Sequence, residues 1–280
     1  MRIRLIRLAA PLAALTLLGG AVVASSSASA APKRAKAAYA TAATATVTPG
    51  VQTNSPSGQC TANFVYSDGV SVYLGQAAHC TGTGAATSTD GCDSGSLPEG
   101  TLVQIDGASK PGVMVYNSWI RMQQAGEADP NACAYNDLAL LRLDPADVSR
   151  TNPSVPVFGG PTGLRTTGTA LGEKVASYGN SSLRLGLSPL SPKYGRSLGT
   201  DSAGWNHTVY TVTPGIPGDS GSGFLDGTGK AFGVLSTVAI APLAASNGVG
   251  DLSRELAYAQ SHGLPGVALV NGTEPFTGAL

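Results

Sequence analysis

The serine in Gly218-Asp219-Ser220-Gly221 is the side chain of this sequence best placed to act as a nucleophile. Glycines on both sides allow a tight turn on which backbone N–H groups converge, and a tetrahedral oxyanion needs such donors. Taken alone, the stretch is equally an ordinary Gly/Ser loop. A lone hydroxyl is a weak nucleophile and requires a base beside it. The chain has three histidines. His79, in Gln76-Ala77-Ala78-His79-Cys80, follows an apolar run and precedes a cysteine able to brace it. An imidazole titrates near neutrality and suits a general base. His207 lies in a polar stretch and His262 at a helix end, so structural roles are expected for both. Asp137 leads directly into Leu138-Ala139-Leu140-Leu141. A carboxylate carried into an apolar strand needs a partner, and the His79 imidazole is a candidate that would also fix its tautomer. Asp90, Asp93, Asp106 and Asp129 are rivals, but none leads so directly into an apolar run.

These three groups need a scaffold, and the patterning points to strands. Apolar and β-branched residues flank Ser67-Asp68-Gly69 and predict a hairpin over Thr61–Gly75. Strands are expected over Thr101–Ile105, Gly112–Met122 and Leu138–Leu143. After a Pro- and Gly-rich connection they resume over Lys174–Tyr178, His207–Val212, Ser222–Leu225 and Ala231–Val238. One helix is expected late in the chain. Asp251 caps it, Leu252, Leu256 and Ala259 share a face, and Gly263 ends it. The order predicts two β units side by side with a C-terminal helix.

The first residues read as a targeting signal. Arg2, Arg4 and Arg7 precede an apolar run from Leu8 to Val23, and Ala28-Ser29-Ala30 offers small residues for cleavage. Residues 1–30 are therefore expected to be a signal peptide, and the protein secreted and extracellular. Residues 31–50, rich in Ala and Thr, are expected to be a flexible leader or short propeptide. The body then divides into 51–145, carrying His79 and Asp137, and 146–280, carrying Ser220. Formal net charge is zero and 12% of residues are charged. No basic face suggests nucleic acid, and no membrane partner is expected after signal removal. Four cysteines, Cys60, Cys80, Cys92 and Cys133, suit two disulfides in an exported chain, with three pairings open. With no CxxC spacing, neither a metal nor a cofactor is expected.

Together the three motifs resemble those of the chymotrypsin/trypsin-like serine peptidases, particularly the bacterial secreted ones. Ala77-Ala78-His79-Cys80, Asp137-Leu138-Ala139-Leu140-Leu141 and Gly218-Asp219-Ser220-Gly221 resemble that family's histidine, aspartate and serine motifs in its order His, Asp, Ser. The resemblance covers roughly residues 60–260. It implies two six-stranded antiparallel β-barrels packed side by side and endopeptidase activity on polypeptides through an acyl-enzyme, with a monomer expected. It implies Ser220 as nucleophile, His79 as base, Asp137 as orienting carboxylate, and the N–H groups of Gly218 and Ser220 as oxyanion hole. It implies a Cys60–Cys80 bridge, which leaves Cys92 with Cys133. Ser236 in Gly233-Val234-Leu235-Ser236 would support Asp137 and mark the strand that pairs with substrate. Pro214 and Gly215 would stand at the base of the primary pocket and Val238 at its wall, implying a modest apolar or small substrate side chain. Acidic specificity is a second possibility if His207 lines that pocket. No Ile-Val-Gly-Gly-like stretch is present, so Asp219 is expected to have an internal ionic partner that the sequence does not name. A non-catalytic binding or adhesion module on the same fold and a serine esterase are the competing readings.

Overall fold

The computed structural model describes residues 37–85, 88–239 and 244–278. The signal-peptide reading and the first part of the leader lie outside the described residues. In chain order the elements are β1 (Gln52–Ser55), β2 (Gly58–Thr61), β3 (Val65–Ser67), β4 (Val72–Ala77), β5 (Leu102–Ile105), β6 (Gly112–Asn117), α1 (Ser118–Ala125), α2 (Pro130–Tyr135), β7 (Leu138–Arg142) and α3 (Pro145–Val148). There follow β8 (Gly163–Leu164), β9 (Lys174–Tyr178), β10 (Pro192–Asp201), β11 (Asn206–Thr211), β12 (Gly223–Asp226), β13 (Lys230–Val238), β14 (Asn247–Asp251), α4 (Leu252–Ser261) and β15 (Ala268–Leu269).

The strands fall into the two β units that the sequence predicts. The first sheet runs β15-β3-β4-β7-β6-β5-β1-β2. Just beyond β2 the chain returns to β4, where Asn63 N donates to Gly75 O and Gly75 N to Phe64 O, so the sheet curls onto itself. The second sheet runs β12-β9-β10-β11-β14-β13 and closes through β12–β13 into a six-stranded antiparallel barrel, with short β8 added parallel to β13. Closure removes the exposed edges that a sheet would otherwise present.

Three apolar clusters hold these layers. Leu74, Val103, Met114 and Leu141 pack within the first unit, and Val175, Val209, Phe224 and Val249 within the second. A third joins the two: Phe64, Tyr66, Tyr116 and Leu138 meet Ala176, Leu225, Val234, Leu252 and Leu256. The expected hairpin forms as β3 and β4, and the expected late helix forms as α4 with the Asp251 carboxylate accepting from Arg254 N.

Two expectations change. The strand predicted over Gly112–Met122 stops at Asn117, and a helix follows. Asn117 Oδ1 accepts from Trp119 N at 2.9 Å and from Ile120 N at 3.3 Å, satisfying two of the orphan donors of a helix start. Asp129 does the same for α2, with Pro130 at the first helical position. Residues 37–50, read as part of a flexible leader or short propeptide, are tied to the body. Val47 is buried, Thr46 N and Val47 N donate to Arg150 O, and Asn152 N donates to Val47 O.

Asn117 also reaches the histidine turn. Its Nδ2 lies 3.1 Å from Ala78 O and 3.0 Å from Thr81 Oγ1. Asn117→Ala therefore removes a cap and strands buried acceptors together. It is expected to lower stability by about 2 kcal/mol, read as a shift in the denaturant midpoint at constant slope.

Candidate active site

β4 is buried along its whole length and delivers the chain into a 3-10 turn, Ala78–Thr81, that carries His79. The turn is braced on two sides. A Cys60–Cys80 disulfide ties it to β2, and Ala78 N donates to Asp137 O at 2.9 Å. Asp137, at the mouth of β7, is 2% exposed. Its carboxylate accepts three hydrogen bonds: Oδ1 from His79 N at 2.9 Å, and Oδ2 from His79 Nδ1 at 2.7 Å and from Ser236 Oγ at 2.6 Å. The bond at Nδ1 leaves Nε2 as the proton-accepting nitrogen of neutral His79. Burial opposes the charged imidazolium, but the charge and hydrogen bond of Asp137 outweigh it and raise the His79 pKa above its ordinary value. The side chain is 26% exposed, so solvent screens part of the effect.

The serine loop is built on two left-handed glycines. Gly218 has φ +94° and Gly221 φ +87°. A Cβ at Gly218 would lie 2.4 Å from Gln59 Oε1, and one at Gly221 would lie 2.6 Å from Thr61 O. Both positions therefore require glycine twice over, for conformation and for space. The first sheet grips this loop directly. Gln59 Nε2 and Thr61 Oγ1 donate to Gly218 O at 2.9 and 2.8 Å, and Thr61 N donates to Ser220 O at 2.8 Å. Gly221 N donates to Leu235 O on β13 at 2.7 Å. With the Gly218 carbonyl turned to Gln59 and Thr61, the N–H groups of Gly218 and Ser220 have no protein acceptor among the described residues. They are two donors free to meet an oxyanion.

Asp219 points the other way, into a buried ion cluster. Its Oδ2 contacts Lys193 Nζ at 2.9 Å, Arg184 Nη2 at 2.5 Å and Ile216 N at 3.2 Å, while Oδ1 accepts from Ser181 N at 3.0 Å. Lys193 is completely buried, and its Nζ also donates to the carbonyls of Thr213 and Pro214. Burial alone would raise the Asp219 carboxyl, but the Arg184 hydrogen bond and the Lys193 charge bring it below its ordinary value. Burial in turn lowers Lys193, against the pull of Asp219. These two cations are the internal partner that the sequence called for without naming.

His79, Gly218 and Ser220 line one open cavity of about 700 Å³. Its lining also includes Gly215, Ile216, Thr237, Val238 and Asn247 of the second unit and Gly82, Ser94 and Trp119 of the first. Among the described residues no hydrogen bond joins Ser220 Oγ to His79, a contact that commonly tightens only when substrate binds. Of the residues expected around the primary pocket, Gly215, Ser236 and Val238 line the cavity. Pro214 does not. Its carbonyl is taken by Lys193 and Arg184, which turn it toward the ion cluster. Asn247 lines the cavity as well: buried, it accepts from Gly215 N at 2.9 Å and donates to Thr237 O at 3.3 Å, tying the 213–217 loop to β13. His207 is away from the cavity, inside the second barrel, between Asp251 Oδ2 at 3.0 Å and Thr200 Oγ1 at 2.9 Å. The conditional reading of His207 as a pocket residue therefore fails. His262 stacks on Tyr258 at the end of α4. The sulfurs near His79 and near Asp90 are engaged in the Cys60–Cys80 and Cys92–Cys133 disulfides and are not free thiolates for a metal.

Sequence signals for Lys193, Arg184 and Asn247 were weak. Nothing in the residues around Lys193 or Arg184 marks them as buried, and only an unpaired Asp219 pointed to an internal partner.

No protein-family model and no curated protein matches the chain. Solved structures do. Thermobifida fusca protease A superposes with a TM-score of 0.51 at 16% identity, over 81% of this chain and 99% of that one. A glutamic-acid-specific serine protease, which utilizes a histidine triad in substrate binding, superposes with a TM-score of 0.50 at 17% identity, over 80% of this chain and all of that one. The chain has the fold of the chymotrypsin-like bacterial serine proteases, and at such identities the likeness is one of fold.

Two measurements follow from this geometry. The His79 imidazole, followed by NMR, should titrate above its ordinary value, and Asp137→Asn should lower it. Because the folded pKa is raised, the stabilisation from the pair is complete below the unfolded value and is lost as pH rises through the folded one. Lys193→Met should cost about 3 kcal/mol, since it leaves Asp219 buried beside one cation instead of two; denaturant unfolding reads the loss.

Proposed function

We propose that this chain is a secreted serine endopeptidase, with Ser220, His79 and Asp137 as its catalytic triad. The observation that carries the reading is the convergence at one cavity of an imidazole bonded to a buried carboxylate, a serine on a glycine turn, and two backbone donors without acceptors. The His79 Nε2 removes the proton of Ser220 Oγ as the oxygen attacks the substrate carbonyl. Asp137 stabilises the imidazolium through the Nδ1–H bond. The N–H groups of Gly218 and Ser220 receive the oxyanion. Collapse expels the amine, which takes its proton from His79 and leaves an acyl-Ser220 ester. Water, deprotonated by His79, then attacks the ester, the carbon–Oγ bond breaks to release the acid, and His79 returns the proton to Ser220 Oγ. No cofactor enters these steps.

The pocket supports a neutral substrate side chain. No Asp, Glu, Lys or Arg lines the cavity among the described residues. Val238, Ile216 and Leu235 are among its lining residues, which favours small or modest apolar groups. Recognition of acidic residues by histidine, as in the glutamic-acid-specific neighbour, finds no support, since His79 is the only histidine on the described lining. Export is supported by the basic and apolar first residues and by the two disulfides. Among the described residues no helix is long and apolar enough to cross a membrane.

Profiling on a peptide library is expected to return cleavage after small or modest apolar residues. Ser220→Ala should abolish both this cleavage and covalent labelling by a fluorophosphonate. Labelling that persists in Ser220→Ala would overturn the nucleophile assignment, and turnover of esters without peptides would replace the endopeptidase reading by an esterase.

A further inference from the structure

Directly behind Asp137 lies a second carboxyl group that the triad chemistry does not use. Glu255 occupies the buried face of α4 and has no exposed surface. Its Oε1 accepts the backbone N–H of Asp137 at 3.0 Å. Its Oε2 has no hydrogen-bond partner among the described residues. Room for it is left by Gly250 on β14, where a Cβ would lie 2.5 Å from Oε1 and 2.8 Å from Tyr135 O. The absence of a side chain at Gly250 thus admits both the Glu255 carboxyl and the Tyr135 carbonyl.

The charges around Glu255 are all unfavourable to a second anion. Asp137 at the mouth of β7 and Asp251 at the end of β14 are the charged groups acting on it, and Tyr66 of β3 and Tyr116 of β6 are the other titratable groups that feel it. Among the described residues no hydrogen bond or ion pair joins Glu255 to a lysine, arginine or histidine. Burial, reinforced by the two aspartates, pushes the carboxyl well above its ordinary value, against the single opposing N–H bond from Asp137.

We propose that Glu255 is a protonated positioning residue, a neutral carboxyl that fixes the Asp137 backbone from behind without adding charge to the Asp137–His79 pair. The positioning half of this statement rests on the peptidase reading above; the protonation half does not. An ionised Glu255 would stabilise the His79 imidazolium further and leave less free base at neutral pH. A neutral acid keeps the hydrogen bond and avoids that effect.

The test separates the two halves. In the infrared spectrum at neutral pH, a protonated carboxyl stretch is expected in the native protein and should disappear in Glu255→Gln. By NMR in a Ser220→Ala background, Glu255→Gln should move the His79 pKa by less than about 0.3 unit. Absence of the carboxyl band, or a fall of about 1 unit in the His79 pKa, would show an ionised Glu255 and overturn the proposal. Both readouts are independent of turnover, so a native protein that passes them yet cleaves no peptide sinks the peptidase reading alone. In a protein that does cleave, Glu255→Ala should lower kcat about tenfold with KM nearly kept, and Glu255→Gln should restore most of that loss. Native kcat in a folded Glu255→Ala would overturn the positioning role, as would a folded Glu255→Gln as impaired as Glu255→Ala. If Glu255→Ala does not fold, the Glu255→Gln measurements decide.

Discussion

A carboxylate removed from water must find donors nearby, and the Asp137 side chain finds them in both halves of the molecule. His79 supplies two from the turn after β4, and Ser236 supplies one from β13. Each of these bonds has a partner charge and is stronger than a neutral pair. Asp137 can be satisfied in this way only when the two β units are docked in one register. The apolar cluster of Phe64, Tyr66, Leu138, Val234 and Leu256 sets that register over a wide area. The carboxylate adds to that register, because a slip between the units removes the Ser236 donor from a buried anion.

The serine loop depends on the same docking from the opposite direction. It belongs to the second unit in sequence, yet Gln59 and Thr61 of β2 hold Gly218 O, and Thr61 N holds Ser220 O. β2 also carries Cys60, the cysteine bonded beside His79. One short strand therefore touches both the histidine turn and the serine turn. From below, Lys193 and Arg184 draw Asp219 inward, Asp219 N donates to Ile216 O, and among the described residues the N–H groups of Gly218 and Ser220 are left over while the carbonyls of 218–220 are engaged. Positive charge under the loop and hydrogen bonds above it fix the same conformation.

Side chains whose local sequence states their environment were legible in advance. Asp137 before an apolar run and His79 between small residues and a cysteine depart from the ordinary pattern for a residue of their type, and Ser220 among glycines gained meaning only beside them. α4 was equally plain, because Asp251 caps a run whose apolar positions share one face. α1 and α2 were missed although Asn117 and Asp129-Pro130 are helix starts in kind. Gly112–Met122 carries an apolar alternation through β6, and nothing in that alternation marks the residue where the Asn117 side chain takes over the backbone. β10 was missed for a different reason. Its Gly195, Arg196, Ser197 and Gly199 lack strand propensity, and pairing to β9 and β11 holds it in place. Lys193 and Glu255 were invisible because a lysine in such a strand and a glutamate in an amphipathic helix are ordinarily solvated. What buries them is the position of groups distant in sequence, Asp219 and Asp137.

The buried charges differ in how they are answered, and the difference bears on the site. Asp219 has two cations, Asp226 has Arg165, Asp147 has Arg150 and two backbone N–H groups, and Asp251 has His207. Asp137 has an imidazole whose charge comes and goes with its protonation state. Glu255 has one backbone N–H and two neighbouring aspartates. In a sequence with as many acidic as basic residues, cations are available, and a lysine or arginine stands beside Asp219, Asp226 and Asp147, while Asp251 and Asp137 each have an imidazole. Leaving Glu255 without one makes its charge, and not its hydrogen bond, the thing the surroundings reject. The region behind Asp137 thereby remains electrically quiet, and the proton affinity of His79 is set by a single carboxylate.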